Sequence, residues 1–548
     1  MVINNNFSFL EIECPPIEVH LHAGKHSGFN IQQMRYLLIG LLSGMSVVSL
    51  AQQPGQPGNA RQGEMRGEGR PGGREQISNP LLDPAFWQGQ PGVEAVKAAV
   101  SKGNSPSEMN RMSMDPVVLA MNAGAPAASV QYLLEDKGNP PGKLTHDGRT
   151  YLFWAAAKGN TAIMEYLLGH GAQVGVQDSH GMTPLTYAAA AGQQDKKVYD
   201  LLISRGANPK TELNADGANA LLLSIGNDST FALADYFQSK GLNLKSTDAA
   251  GNNAFDYAAR SGNLAVMKQL LSKGLRPGNN TLLLAAQGSR RGSAPLEVYQ
   301  YLEGLGVNMK ATGKNGENAL HYVVRRPNQQ AIIAYFLEKG LDVNQADAEG
   351  NTALMNAAAF NRDAATVQSL LARVKDINQP NRNGATALAL AVKGNSAEVV
   401  ELLLNQGADL QATDAKGNNL VYYLFESYNP RQQRDFEQKL RLLQSKGLAL
   451  DKPQADGNTV YHLAVARNDL SLVKLVQPLG ADVNARNKEG LTALHKAAMI
   501  SRNDAILQYL LSIGAAKDSK TSFNETAYDL ARENELLSRQ AVSLDFLK

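Results

Sequence analysis

At 548 residues the chain is too long for one ordinary core, and with 43% hydrophobic and 19% charged residues it is too apolar for wholesale disorder, which leaves several domains or a repeat array. Its 53 basic and 51 acidic residues are interspersed and leave a net charge of +2, so no bulk electrostatic pull draws it towards nucleic acid or acidic lipid. Cys14 is the one cysteine, which excludes an internal disulfide and a four-cysteine zinc site.

Taken in chain order, residues 1–33 read as a mis-annotated or disordered extension, in which Cys14, His20, His22 and His26 form a loose potential metal cluster. Residues 34–51 read as a signal peptide: Arg35 is a short basic flank, Tyr36 to Leu50 an apolar run, and Ser49 with Ala51 a small-residue cleavage signal. The run is shorter than the roughly 20 residues a spanning helix needs, so a retained anchor is the weaker alternative and no stable membrane span is expected after cleavage. Residues 52–79 are rich in glycine, proline and mixed charge and read as a flexible linker. Gly67, Gly69 and Gly72 meet the G-x-G-x-x-G spacing there, but no strand precedes them and Pro71 interrupts a helix start, so phosphate binding is not expected.

From residue 80 to 548 the pattern is periodic. Glycines recur at Gly148, Gly181, Gly217, Gly251, Gly278, Gly316, Gly350, Gly384, Gly417, Gly457 and Gly490, at intervals of 33, 36, 34, 27, 38, 34, 34, 33, 40 and 33. In the last full unit Leu494, Ala497 and Ala498 share one helical face, and Ile506, Leu507, Leu510 and Leu511 share another, which predicts two short amphipathic helices. Gly514 follows the second helix as a left-handed cap, and Gly171, Gly206, Gly241, Gly274, Gly306, Gly340, Gly407, Gly447 and Gly480 recur at that place. Val374 stands there instead in one unit. One helix pair cannot bury its own apolar face, so the units must stack, and the alanines permit close approach.

"GMTPLTYAAAAG" from Gly181 and "GLTALHKAAM" from Gly490 resemble the ankyrin repeat, and the similarity covers residues of roughly 110–535. The fold class this implies is all-α: a solenoid of about twelve helix-turn-helix repeats joined by short finger loops, with terminal capping units. In that family the histidine of the motif hydrogen-bonds between neighbouring turns, which is the role the resemblance implies for His321, His462 and His495. They lie on different units, so no two have the i, i+4 spacing of a helical metal pair. Ser471 and Lys474 meet an S-x-x-K spacing without the rest of a penicilloyl-serine constellation.

The resemblance implies a non-catalytic module, with no cofactor, that binds another protein through the fingers and first helices. Export makes it periplasmic or secreted. Two rivals stand beside this: an envelope-structural or protective protein of low partner specificity, and an enzyme with a site assembled across repeats. Candidate contacts on the fingers are Lys314, Glu349, Arg382, Lys416 and Glu489. The 40-residue interval expels its extra residues as a loop with its turn at Asn429 and Pro430. There Tyr428 with Arg431 and Arg434 offers an aromatic and basic patch, while Tyr422, Tyr423 and Phe425 fill space. A second irregular stretch, around Arg290 and Arg291, reads as a solvated loop. Amino-terminal sequencing of the native protein is expected to return Gln52 or its cyclised form; a product beginning at Met1 would remove the leader and reopen the Cys14 cluster.

Overall fold

A threonine or asparagine stands before most first helices, and its role is direct in the computed structural model, which describes residues 79–289, 292–540 and 542–548. Thr183, Asn219, Asn253, Asn318, Thr352, Thr386, Thr492 and Thr526 each accept a hydrogen bond from a backbone N–H of the first turn. The leader, most of the linker, Cys14 with His20, His22 and His26, and Arg290 with Arg291 lie outside the described residues. Asn79, the last residue of the expected linker, already belongs to the folded unit: it is buried, and its amide donates to Ser105 O at 2.7 Å.

Among the described residues there is no strand, only an isolated bridge between Ser289 and Gly292. The 28 α-helices of the described residues fall into fourteen consecutive pairs, from Pro84–Gln88 with Val93–Ser101 to Ala527–Glu533 with Glu535–Arg539. First helices pack on first helices throughout the array, and second helices pack on second helices in about half of the neighbouring pairs. Twelve pairs therefore lie between two terminal ones. In the pair Ala493–Ile500 and Ala505–Ser512 the buried side chains are Ala493, Leu494, His495, Ala497 and Ala498 on the first helix and Ile506, Leu507 and Leu510 on the second. Gly514 follows at φ 97°, and the other nine glycines at that place are also left-handed, where a side chain would be strained.

Backbone hydrogen bonds join the finger turns into a ladder. Ser179 N donates to Asp147 O at 2.9 Å, Ala215 N to His180 O at 3.1 Å and Ala249 N to Asp216 O at 2.9 Å. Beyond a gap the series resumes with Ala348 N to Asn315 O, Arg382 N to Glu349 O, Ala415 N to Asn383 O and Lys488 N to Asp456 O, the last at 2.9 Å. The gap falls at Gly278, which departs from its expected place in the finger series. It is not left-handed, and its N–H donates to the Asp256 carboxylate at 2.9 Å. Only six residues separate Gly274 from the helix Thr281–Gln287, too few to form a finger.

At the opposite ends of the helices, side chains bridge units by capping backbone carbonyls. Asn361 Nδ2 reaches Val324 O at 2.9 Å and Arg326 O at 2.8 Å; Asn395 Nδ2 reaches Ala358 O at 2.9 Å and Asn361 O at 2.8 Å. In the enlarged unit Lys439 takes over. Its ammonium, buried and held at a pKa below the ordinary lysine value by desolvation, donates to Val392 O at 3.0 Å and lies 3.4 Å from Asp435.

Two expectations change here. The extra residues of the enlarged unit do not all leave the stack as a loop; they lengthen the second helix, Gln433–Ser445, to 13 residues. Asn429 caps the short turn Pro430–Gln432 before it, as the Asn-Pro pair suggests. Val374 is not left-handed: the helix Ala364–Leu371 ends early, and Asn344 of the preceding unit clasps the turn through Arg373 O at 3.0 Å and Lys375 N at 2.8 Å. A β-branched residue resists the left-handed region, and this turn avoids it. In the second helix Ala397–Asn405, Leu402 is only half-buried, whereas Leu403 is fully buried.

Leu403→Ala is accordingly expected to cost about 2–5 kcal/mol and Leu402→Ala less, read as urea midpoints followed by circular dichroism. Val374→Gly should lower the midpoint, since it removes packing and adds unfolded-state entropy without relieving strain; a rise would mean that the turn is left-handed in solution.

Candidate functional site

The residue three places after each cap settles what the motif histidines do. Nδ1 of His321, His462 and His495 accepts the backbone N–H of Asn318 at 3.1 Å, Thr459 at 3.2 Å and Thr492 at 3.1 Å. Nε2 donates to a carbonyl of the following unit: Asn351 O at 3.1 Å, Leu491 O at 2.9 Å and Ser519 O at 2.8 Å. An Nδ1 that accepts and an Nε2 that donates describe a neutral imidazole, and desolvation lowers each pKa below the ordinary histidine value. Each ring is therefore a strut between units.

Sequence reasoning missed the equivalents. Thr186, Asp256 and Asp529 occupy the same capping-box place. Asp256 also bridges units, accepting from Asn253 N at 2.8 Å, from Gly278 N at 2.9 Å and from the Thr281 hydroxyl. Burial raises its carboxyl pKa against the lowering effect of those bonds. The signal was present as a polar residue three places after a threonine or asparagine.

On the fingers, Lys314, Glu349, Arg382, Lys416 and Glu489 are all exposed at the tips of tight turns. Preceding Asp or Asn side chains hold those turns: Glu349 N and Lys416 N donate to Asp347 and Asp414, each at 2.9 Å, and Glu489 N to Asn487 at 3.1 Å. The ladder sets neighbouring tips in register, so the five side chains project from an ordered edge with mixed sign.

The aromatic patch is corrected. Tyr428 is 5% exposed, its ring edge-on to Phe436 at 5.3 Å, while Phe425 packs on the same ring at 5.5 Å. The long second helix needs these rings as filler beneath it. Arg431 and Arg434 are exposed, whereas the Tyr428 ring is buried and offers no aromatic surface beside them.

Other groups invisible as a site in the sequence come together at the first fingers. Arg149 is buried, with Nη1 at 3.1 Å from Asp147, Nε at 2.8 Å from Asp178 of the next unit, and its guanidinium 4.3 Å over the Tyr187 ring. Met112 and Leu144 beside it are exposed, as is Phe523 at the last finger, 71% accessible. Lys474 lies over the Tyr509 ring at 5.6 Å on the second-helix row, and Ser471 N donates to the cap Asp469. Among the described residues no three His, Cys, Asp or Glu side chains are grouped to hold a metal, and no helix is long and apolar enough to cross a membrane.

A family model described as ankyrin repeats in three copies matches residues 117–212, 190–281, 282–379, 355–433, 415–521 and 461–539. The chain is 24% identical to the E3 ubiquitin-protein ligase KEG of Arabidopsis thaliana over 78% of its length and 22% of that protein. It is 30% identical to human Rabankyrin-5 over 63% of its length and 26% of that protein, and 35% identical to mouse protein phosphatase 1 regulatory subunit 27 over 18% and 63%. The chain thus spans about a quarter or less of the first two relatives.

The histidine struts generate a pH dependence. Unfolded histidine titrates near about 6.5, above the lowered native values, so below that pH the unfolded chain takes up protons that the native state resists. Stability present above about pH 6.5 should be lost as pH falls towards the native pKa. Urea midpoints between pH 7.5 and 5.5 test this, and His495→Gln should flatten the slope; the same slope in both proteins would remove the imidazole from the explanation.

Proposed function

Because the chain belongs to the ankyrin-repeat family, we propose that it is an exported, non-catalytic interaction module that holds another protein along its fingers and first helices. One observation carries the reading: the exposed tips Lys314, Glu349, Arg382, Lys416 and Glu489 stand on a hydrogen-bonded ladder that fixes their spacing. A pre-ordered edge pays little conformational entropy on binding, and a fixed order of mixed charges selects a partner by pattern. Relatives named as a RelA-associated inhibitor and a protein phosphatase 1 regulatory subunit support association with a protein as the mode of action. Export rests on the leader-like run from Arg35 to Ala51, and the periplasm or the exterior is the compartment it supports.

Affinity capture from the native envelope fraction, followed by mass spectrometry, should return one stoichiometric protein. Reversing Arg382 or Glu349 singly should then cost about 0.2–1 kcal/mol in binding by calorimetry, with the fold intact. Tyr428→Ala should instead lower the unfolding free energy obtained from urea titration by about 3–5 kcal/mol, as for other large core aromatics. Many weak partners insensitive to either finger charge would reject the interaction module and favour the protective protein.

A further inference from the structure

Towards the middle of the array, three arginines meet at the inter-helix end of the unit that lacks a finger, away from the ladder. Arg260 ends the helix Ala254–Arg260, and its Nε donates to Gly288 O at 3.2 Å. Arg326, just beyond the helix Ala319–Val323, donates through Nη2 to Gln287 O at 2.7 Å and through Nη1 to Ser289 O at 3.3 Å. The two guanidiniums thus bracket one inter-helix turn from the units on either side. Between them and the next unit lies Arg325, its guanidinium 4.3 Å over the ring of Phe360.

The balance of charge is unusual for this row. Two units further on, the equivalent helix ends carry Lys393, Glu426 and Arg467, and the glutamate lies 3.7 Å from one cation and 3.5 Å from the other. Among the described residues no carboxylate comes within ion-pair distance of Arg260, Arg325 or Arg326. Burial and the other two arginines lower the pKa of Arg326. Cations suit helix carboxyl ends, and that accounts for one arginine at each helix. It does not account for Arg325, which is exposed and sits on a phenylalanine that is itself 44% exposed.

We propose that Arg325 and Phe360 form the anchor for an acidic protein segment, a partner carboxylate taking the outer edge of the Arg325 guanidinium while an adjacent apolar side chain covers the Phe360 ring. Arg260 and Arg326 supply the positive field and hold the turn. The guanidinium fork matches a planar carboxylate, and the ring fixes its plane. A protein segment fits better than a polyanion: three charges beside an apolar surface make a local docking point, and the near-neutral chain offers no continuous basic track. This rests on the interaction reading above and names the chemistry of the partner.

The test uses the full folded chain and a fluorescein-labelled eight-residue peptide of glutamates around a central leucine, followed by anisotropy at low and physiological salt. Arg325→Gln should weaken binding about tenfold or more and Phe360→Ala several-fold, whereas Arg441→Gln on the outer surface should stay within about twofold. Circular dichroism and urea midpoints establish that all three variants fold. No binding of the peptide, equal weakening by Arg441→Gln, or tighter binding of a thymidine oligonucleotide would overturn the proposal. If the native partner is still captured through the fingers while the peptide fails, the arginine site falls alone. Arg325-dependent binding of the peptide with no native protein partner would sink the interaction reading and leave the site standing.

Discussion

A pair of helices eight or nine residues long has an apolar face it cannot cover with its own side chains, and every other feature of this array follows from that deficit. The neighbouring pair covers it, and alanines such as Ala357, Ala358, Ala497 and Ala498 line the buried faces so that the backbones can approach. Burial then obliges each unit to satisfy the polar groups it traps. Fingers do this with backbone hydrogen bonds and capping-box side chains at one end, and asparagine amides do it at the other.

Irregular units show that the constraint acts on the interface and tolerates different chemistry. His495 bridges two units through a neutral ring; Asp256 does so through a carboxylate that meets a shortened connection. Asn361 and Asn395 cap the carbonyls of the preceding helix, and Lys439 performs the same task from a longer helix at the cost of burying an ammonium. What is kept in each case is a donor or acceptor at the boundary between neighbours.

Function is freed by the same division of labour. Since the backbone and the buried side chains hold the stack, the finger tips and the ends of the first helices can vary without loss of fold. The mixed charges of the fingers, and Arg325 with Phe360, occupy such positions. The fixed spacing of the ladder makes them a surface that a partner can read.

The sequence by itself determined the repeat, the two helices of each unit and the left-handed glycines, because period, cap residues and glycine report local backbone geometry directly; the strut role of His495 came only through the resemblance to a known family. It did not determine which leucine of the run Leu402–Leu404 is buried, since adjacent residues differ only by a rotation that packing selects. It could not place Tyr428: an aromatic residue beside a loop signal reads as exposed until the long helix that covers it is seen. Val374 stands near the place of a glycine turn, and the Asn344 side chain that clasps this turn, as Asn378 and Asn484 clasp the glycine turns at Gly407 and Gly514, comes from about 30 residues away. Arg260, Arg325, Arg326 and Phe360 lie up to 100 residues apart, and only the stacking of units brings them into one cluster.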